Sequence, residues 1–270
     1  MKSKFLKIGL FLALGLSIAV FYSCDKDDDG NDGNPSKITA TNVINSSSVI
    51  AVVKAEIHWE TEDWSTGDYD EGQDVVAEAQ YKNNGFTLEL PASVAAKYLG
   101  LITELFDEDD DWDSFTISDR QAKAISELEL NAYDNKDNEI GYFYLGEEKL
   151  SDDNGAMWIY VDRNVTIEAE NRWDYYDEEG IDKCDLEFKK GWNVVYTKDI
   201  ESYNSSTGRT VYNWTLTTKK PSGSVYRWYF DDYGDWKSSK VTAKSVIKEK
   251  SFFSKTKGRY GTVKEKSVRN

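Results

Sequence analysis

Histidine and cysteine are scarce in this sequence of 270 residues, and their scarcity excludes several kinds of chemistry. The chain has one histidine, His58, and two cysteines, Cys24 and Cys184. These residues cannot supply the nitrogen and sulfur ligands of the usual zinc sites. A catalytic set of the Ser/His/Asp or Cys/His kind would depend on His58 alone. Because Glu56 and Glu60 lie two residues to either side of it, we interpret His58 as a surface histidine on the polar face of a strand.

A long apolar run is also absent. The uncharged stretch 8–23 is shorter than the roughly 20 apolar residues that a helix needs to cross a bilayer. It follows three lysines within the first seven residues, which is typical of a secretory signal. The small residue Ser23 stands directly before Cys24, so we predict a signal peptide over 1–23 and lipidation of Cys24 as the mature N-terminus.

The residues around Cys24 resemble those of a known class of lipoproteins. Phe21-Tyr22-Ser23-Cys24 resembles a bacterial lipobox with Phe21 in place of the usual leucine, and the acidic run 25–29 resembles the export signal of surface-exposed lipoproteins of the Bacteroidetes type. The segments 85–91 and 190–196 are similar to uncharacterised lipoproteins of that group. The resemblance implies a lipid anchor in the outer membrane, with the protein facing the cell exterior, and it implies no chemistry.

Cys184 would have no disulfide partner once Cys24 carries a lipid, which excludes an internal disulfide. It alternates with Leu186 and Phe188, as a small core residue in a strand does. Buried thiols are usually inert, so we expect no reactive cysteine.

Charge is distributed unevenly along the chain. The net charge is −16, yet the segment 237–270 has 11 basic and 2 acidic residues, so the part before it is strongly acidic. Such a body repels phosphate backbones, and we expect no nucleic-acid partner. We predict that 237–270 is a disordered basic tail, held weakly near the acidic loops of the body because exposed charges are screened by salt.

The remaining chain predicts an all-β fold. Residues 24–36 indicate an anchor and flexible acidic tether. One parity of the stretch 49–60 has Val49, Ala51, Val53, Ala55, Ile57 and Trp59, and the other has Lys54, Glu56, His58 and Glu60, which favours a half-buried strand. Consecutive strand patterns then predict one antiparallel β-sandwich-like domain over 37–236, with a second subdomain beginning near 171 left open. The apolar spacing after Ser93 predicts one short helix over about 93–106.

Five hairpins are predicted from strand patterns on either side of turn residues. They join 75–81 with 86–90, 128–133 with 140–145, 157–161 with 165–169, 184–188 with 192–197, and 212–218 with 225–230.

An acidic run offers a candidate metal site. Asp109, Asp111 and Asp113 imitate the start of an EF-hand loop, but Ser114 and Arg120 stand where that loop needs glycine and a bidentate glutamate. We therefore leave two interpretations open, a loose calcium site of clustered carboxylates and a solvated acidic loop. No other cofactor is expected.

Aromatic residues recur in segments that the pattern indicates as acidic loops. They are Trp64, Tyr69, Trp112, Trp173, Tyr175, Tyr176, Tyr233 and Trp236. Rings beside carboxylates would form a platform for a glycan, or they would plug the open ends of the sandwich.

The sequence therefore predicts a non-catalytic binding or interaction module, with a glycan or a surface protein as ligand. Two other classes stay open. A glycoside hydrolase needs only two carboxylates, which this chain has in excess. A structural or adhesion subunit would present an unpaired strand edge.

Overall fold

A computed structural model describes residues 35–63, 68–105, 112–148 and 154–233 of the chain. The predicted signal peptide, Cys24, most of the tether and the basic tail lie outside the described residues. So do Trp64, Asp109, Asp111 and Trp236, and the predictions made on them stay predictions.

The described chain is built almost wholly from strands. In chain order they are β1 (Lys37–Ala40), β2 (Val52–Asp63), β3 (Asp68–Gln80), β4 (Phe86–Glu89), β5 (Gly100–Leu101), β6 (Ser114–Ile117), β7 (Lys123–Ala124), β8 (Leu128–Tyr133), β9 (Glu139–Glu147), β10 (Gly155–Val161), β11 (Val165–Tyr175), β12 (Glu178–Phe188), β13 (Gly191–Asn204), β14 (Arg209–Thr217) and β15 (Tyr226–Asp232). The all-β, sandwich-like fold predicted from the sequence is confirmed.

The predicted helix over 93–106 is much shorter than its apolar spacing indicated. The segment forms a 3-10 turn over Ala96–Tyr98, then the strand β5, then one helical turn, α1 (Ile102–Leu105). Ala95 rather than Ser93 precedes the 3-10 turn, and no side chain caps it. The apolar residues of this segment pack against the core, where Ile102 is fully buried, and β5 pairs with β7. Their spacing therefore reflects packing rather than one continuous helix. No helix among the described residues is long and apolar enough to cross a membrane.

The main sheet follows the order β3-β2-β8-β9-β10-β13-β14-β12-β11-β6, and β15 branches from it by pairing with β9. A small second sheet of β1 and β4 packs its buried side chains into the same core. The ring centroids of Phe86 in this small sheet and Trp228 in β15 are 5.4 Å apart, and the Trp228 indole donates a hydrogen bond to Thr39 O. The ladders between the described strands are antiparallel except that of β12 and β14, which is parallel.

The five predicted hairpins test whether turn residues in the sequence determine which strands pair. The hairpin of 128–133 with 140–145 is confirmed as β8 and β9. The turn at Asn83 and Asn84 is also present, with φ of 53° and 59°, but β3 pairs with β2 and β4 with β1. The other three pairings are wrong, because β10, β12 and β14 each pair elsewhere. Turn residues mark where the chain reverses, but they do not determine which strand becomes the neighbour.

Two long hairpins lie in segments that the sequence pattern indicated as acidic loops. β2 pairs with β3 across residues 60–72, and β11 pairs with β12 across 171–179. Residue 171, near which a subdomain boundary was left open, lies inside β11. These hairpins extend past the apolar core, so their outer halves have polar and aromatic side chains instead of the apolar alternation of buried strands.

Burial of alternate side chains determines which way β2 faces. Val53, Ala55 and Ile57 are fully buried, as the alternation predicts. A large apolar side chain contributes roughly 1.5–3 kcal/mol on burial, so a shift of one residue would be costly. The opposite face of β2, with Lys54, Glu56 and His58, therefore points away from the core.

Candidate functional site

Trp173 does not lie on a loop but within β11, where it forms part of a cross-strand unit. Gly180 of β12 lies directly opposite, and a Cβ atom there would come within 2.8 Å of Trp173 Nε1. The indole N–H donates to Asp182 Oδ2 at 3.1 Å, and the ring stacks on Tyr212 at 5.9 Å. The indole N–H of the half-buried Trp173 is therefore engaged in a hydrogen bond, and one side of its ring lies against the backbone at Gly180.

A second unit of the same design occurs in the β2–β3 hairpin. Trp59 lies opposite Gly72, where a Cβ would meet Trp59 Cζ2 at 2.6 Å. Its indole donates to Asp74 Oδ2 at 2.8 Å, two residues after the glycine, as Asp182 follows Gly180. Lys97 pairs with Asp74 and lies 4.6 Å from the Trp59 ring centroid. We call these two arrangements the Trp–Gly–Asp units.

The other predicted aromatic residues are dispersed. Trp112 is half-buried against the core, and Tyr69 lies in β3 opposite Glu62. Tyr175 and Tyr176 form the tip of the β11–β12 hairpin, with ring centroids 4.7 Å apart and Tyr176 87% exposed at a φ of 48°. Of the described side chains among these, the rings of Tyr175 and Tyr176 contact each other.

A continuous aromatic surface instead lies on the outer face of β9 and β15. Tyr233, Tyr142, Tyr144 and Tyr229 follow one another with ring centroids 6.0, 6.0 and 5.2 Å apart. The planes of Tyr144 and Tyr229 are nearly parallel, at 13°. All four are half-buried. We call this set the tyrosine row.

The local sequence explains why these tyrosines point outward. In β9 the core takes Phe143, which lies opposite Phe230 of β15, so Tyr142 and Tyr144 must face the other side. In β15 the buried Trp228 and Phe230 likewise direct Tyr229 outward. Both faces of these two strands are therefore aromatic.

Acidic side chains border the tyrosine row. Asp231 Oδ2 accepts a hydrogen bond from the Tyr142 hydroxyl at 2.7 Å. On the neighbouring strands the same face has Glu56 and Glu129, which lie directly opposite each other in β2 and β8. Asn131 of β8, which lies opposite Tyr142 of β9, links the tyrosine row with the carboxylates of Glu56 and Glu129.

Glu56 is the centre of a closed polar network. Its carboxylate is 4% exposed and accepts hydrogen bonds from Asn131 Nδ2 at 2.6 Å, Gln73 Nε2 at 3.0 Å and the Tyr133 hydroxyl at 3.0 Å. Asn131 and Gln73 each also donate to Glu129 Oε2, both at 3.3 Å. The two carboxylates therefore share two amide donors and lie close together.

Neighbouring charges shift several pKa values here. A hydrogen bond between His58 Nε2 and Glu129 Oε2, 2.9 Å apart, raises the pKa of His58, although desolvation opposes it. Burial, and then the charge of Glu129, raises the pKa of Glu127 to about 7, while His58 lowers it. Burial and nearby Glu139 raise the pKa of Tyr233. His58 is half-buried on the face of β2 that points away from the core, and it is paired with Glu129.

Two of the three predicted calcium ligands, Asp109 and Asp111, lie outside the described residues. Asp113 is described, and its Oδ2 accepts the backbone N–H of Arg172 at 2.8 Å at the edge of β11. Among residues 35–63, 68–105, 112–148 and 154–233, no group of three or more His, Cys, Asp or Glu side chains is placed to hold a metal ion.

Sequence reasoning missed three members of the tyrosine row, Tyr142, Tyr144 and Tyr229, because it looked for aromatics on loops. A usable signal was present in Gly-Tyr-Phe-Tyr-Leu and in Tyr-Arg-Trp-Tyr-Phe, where aromatic residues occupy both parities of one strand. Burial in the core requires only one of those parities.

Searches against protein-family models, curated proteins and solved structures found no match for this chain.

Proposed function

We propose that this protein is a non-catalytic glycan-binding module, anchored by lipid on Cys24 to the outer membrane and facing the cell exterior. The observation that supports binding is the tyrosine row, whose four rings are continuous, half-buried and on the side of the sheet opposite Phe143 and Phe230. Aromatic faces stack on the apolar faces of sugar rings, while phenol hydroxyls exchange hydrogen bonds with sugar hydroxyls.

The charge around the row defines the class of glycan. Asp231 contacts Tyr142, Glu129 and Glu139 lie near Tyr233, and the chain as a whole carries −16. Carboxylates accept hydrogen bonds from neutral sugar hydroxyls but repel sulfate and uronate groups. The proposed ligand is therefore an uncharged polysaccharide or oligosaccharide.

A hydrolase is less well supported by the same face. Glu56 and Glu129 are close, but a glycosidase needs both carboxylates open to the sugar. Glu56 is 4% exposed and its oxygens accept hydrogen bonds from three side chains. Such an arrangement is typical of a structural carboxylate.

A structural or adhesion role would use the long strand β3 at the end of the strand order. Its side chains include Glu71, Asp74 and Glu78, and a β-bulge interrupts its pairing with β2. Charges and bulges are features that discourage strand addition at a sheet edge.

Binding is tested by titrating the protein with uncharged and with sulfated polysaccharides in a calorimeter. Tyr144→Ala and Tyr229→Ala should each weaken binding at least about tenfold, the effect of losing roughly 1.4 kcal/mol of stacking and hydrogen bonding. Tyr203→Ala is the matched control, because Tyr203 is 69% exposed and lies on β13, away from the row.

Two results would contradict the glycan proposal. One is a wild-type protein that binds no uncharged glycan of a broad array. The other is binding that survives both row substitutions and is lost in Tyr203→Ala.

The anchor is tested separately by Cys24→Ser, which should release the protein from the membrane fraction. Protease added to intact cells should digest the wild type, and neutralising Asp27, Asp28 and Asp29 should protect it without preventing lipidation. A wild type that fractionates as a soluble protein would refute the anchor.

A further inference from the structure

The described chain ends on the tyrosine row. Tyr233 donates its backbone N–H to Ile140 O at 3.1 Å, and its ring lies 6.0 Å from that of Tyr142. The residues that follow include the basic segment 237–270, with 11 basic and 2 acidic residues. This segment therefore begins a few residues from the row.

Acidic groups surround the point where the chain leaves. Asp231 and Asp232 directly precede Tyr233 and are exposed. Glu139 and Glu129 lie close enough to Tyr233 to raise the pKa of its hydroxyl, after the effect of burial. A basic segment tethered here meets these carboxylates at a high effective concentration, because the linker is short.

The same protein already pairs lysines with aromatic rings beside carboxylates. Lys54 Nζ lies 4.0 Å from the ring centroid of Tyr133 and 2.6 Å from Asp137 Oδ1. Lys97 Nζ lies 5.0 Å from the Tyr98 ring and pairs with Asp74. A lysine held between a ring and a carboxylate gains both a cation–π and a charge interaction.

We propose that the basic segment 237–270 docks on the tyrosine row of its own molecule, with its lysines over the rings and against Asp231, Glu139 and Glu129. Charge complementarity and the position of Tyr233 select this occupant. The docked segment covers the surface assigned above to glycan, so it competes with that ligand. The docking itself does not depend on the glycan proposal.

Docking is tested on the full chain with a carbodiimide, which joins a lysine amine to a carboxylate only when the two are in contact. Mass spectrometry should find links from lysines of 237–270 to Asp231, Glu139 or Glu129 at low salt. These links should fall severalfold at about 0.5 M salt, where the Debye length is only a few ångströms. Links mainly to the acids of the β11–β14 hairpins, such as Glu178 and Glu201, would overturn the proposal.

Variants and labelling sharpen this test. Asp231→Asn combined with Glu139→Gln should reduce the yield of tail links at Glu129 as well, since the segment is held less tightly. Glu201→Gln, an exposed acid on β13, is the matched control and should leave those links unchanged. In a mixture of isotopically heavy and light protein, links that join only different molecules would overturn docking within one chain.

Competition is a separate measurement. Replacing the lysines of 237–270 by glutamine in the full chain should raise the affinity for an uncharged glycan at low salt. If the wild type binds glycan with an affinity that neither this replacement nor salt alters, the segment does not cover the row. If no glycan binds at all, the crosslinks still decide the docking.

Discussion

The tyrosine row and the two Trp–Gly–Asp units are both aromatic and both lie beyond the apolar core, but their side chains are used differently. Each tryptophan is pressed against a glycine and donates its only polar hydrogen to an aspartate. The tyrosines contact one another along a face of the sheet, and Tyr144 and Tyr229 stack on each other over Gly146. We infer that the two indoles, whose donors and ring contacts lie within the protein, stabilise the hairpins, whereas the proposal above gives the tyrosine row the binding role.

Under the proposed function, this difference separates stability from binding. The tryptophans connect paired strands where the hairpins extend past the core, and the glycine opposite provides the space for the ring. Aromatic residues are known to compensate in this way for glycine in sheets. The sequence alone left Trp173 open between a glycan platform and a plug at the end of the sandwich, and the tests below separate the two roles.

Trp173→Ala should have the largest effect. It removes a half-buried ring, its stacking on Tyr212 and a hydrogen bond to the buried Asp182, at a cost of about 3 kcal/mol in the free energy of unfolding. Urea denaturation measures the change, and glycan affinity should be unaltered. A variant with an unchanged free energy of unfolding but no glycan binding would show that Trp173 contacts the ligand.

Gly180→Ala should come next. A Cβ at Gly180 would collide with the Trp173 indole, and moving a packed ring costs about 1–3 kcal/mol. A double-mutant cycle provides the check, because adding Gly180→Ala to Trp173→Ala should cost almost nothing further. Additive losses would mean that the glycine serves some purpose other than making room for the ring.

The carboxylate network should make stability depend on pH through Glu127. Its pKa is raised from 4.5 to about 7 in the folded state, so between these values the folded protein holds the extra proton. The free energy of unfolding should therefore fall as the pH rises from about 5 to 7, by roughly 2 kcal/mol from this group. His58 acts in the same direction, because its raised pKa favours the folded state at low pH.

Glu127→Gln removes the larger part of that dependence. The variant should be more stable than the wild type at pH 8, and the two should converge near pH 5. Glu201→Gln, an exposed acid remote from the network, is the control. An unchanged pH profile for Glu127→Gln would contradict the assignment.

Tyr144→Ala should have the smallest effect on stability. The loss of a half-buried ring stacked on Tyr229 is expected to cost only about 1 kcal/mol. Thermal unfolding and calorimetric titration of the same sample should show a nearly unchanged midpoint and a large loss of affinity. A fall in stability as large as that of Trp173→Ala would make the row a structural element.

The strands that the sequence predicted correctly are those in which one side is buried. In β2, Val53, Ala55 and Ile57 alternate with polar residues, and the structure buries them. Cys184 is buried with Leu186 and Phe188, and burial raises the pKa of its thiol. Periodicity reports burial, and so it predicts strands well.

Strand partners and site residues were harder to predict because they depend on distant parts of the chain. Gly191 and Gly223 have the positive φ values of real turns, yet the strands before and after them do not pair. Tyr229 joins Tyr144 only because β15 returns to β9 across about 80 residues of sequence. No local pattern contains that information.

The parallel ladder of β12 and β14 has a consequence for the order of assembly. β11–β12 and β13–β14 are local hairpins, so each closes a short loop. Glu178 pairs with Thr210 only when the other edge of β14 docks on β12, and no turn sets that register. We expect the two hairpins to form first and to join late along this one seam. Pulsed hydrogen exchange during refolding should then protect the amides of the β12–β14 ladder after those within each hairpin.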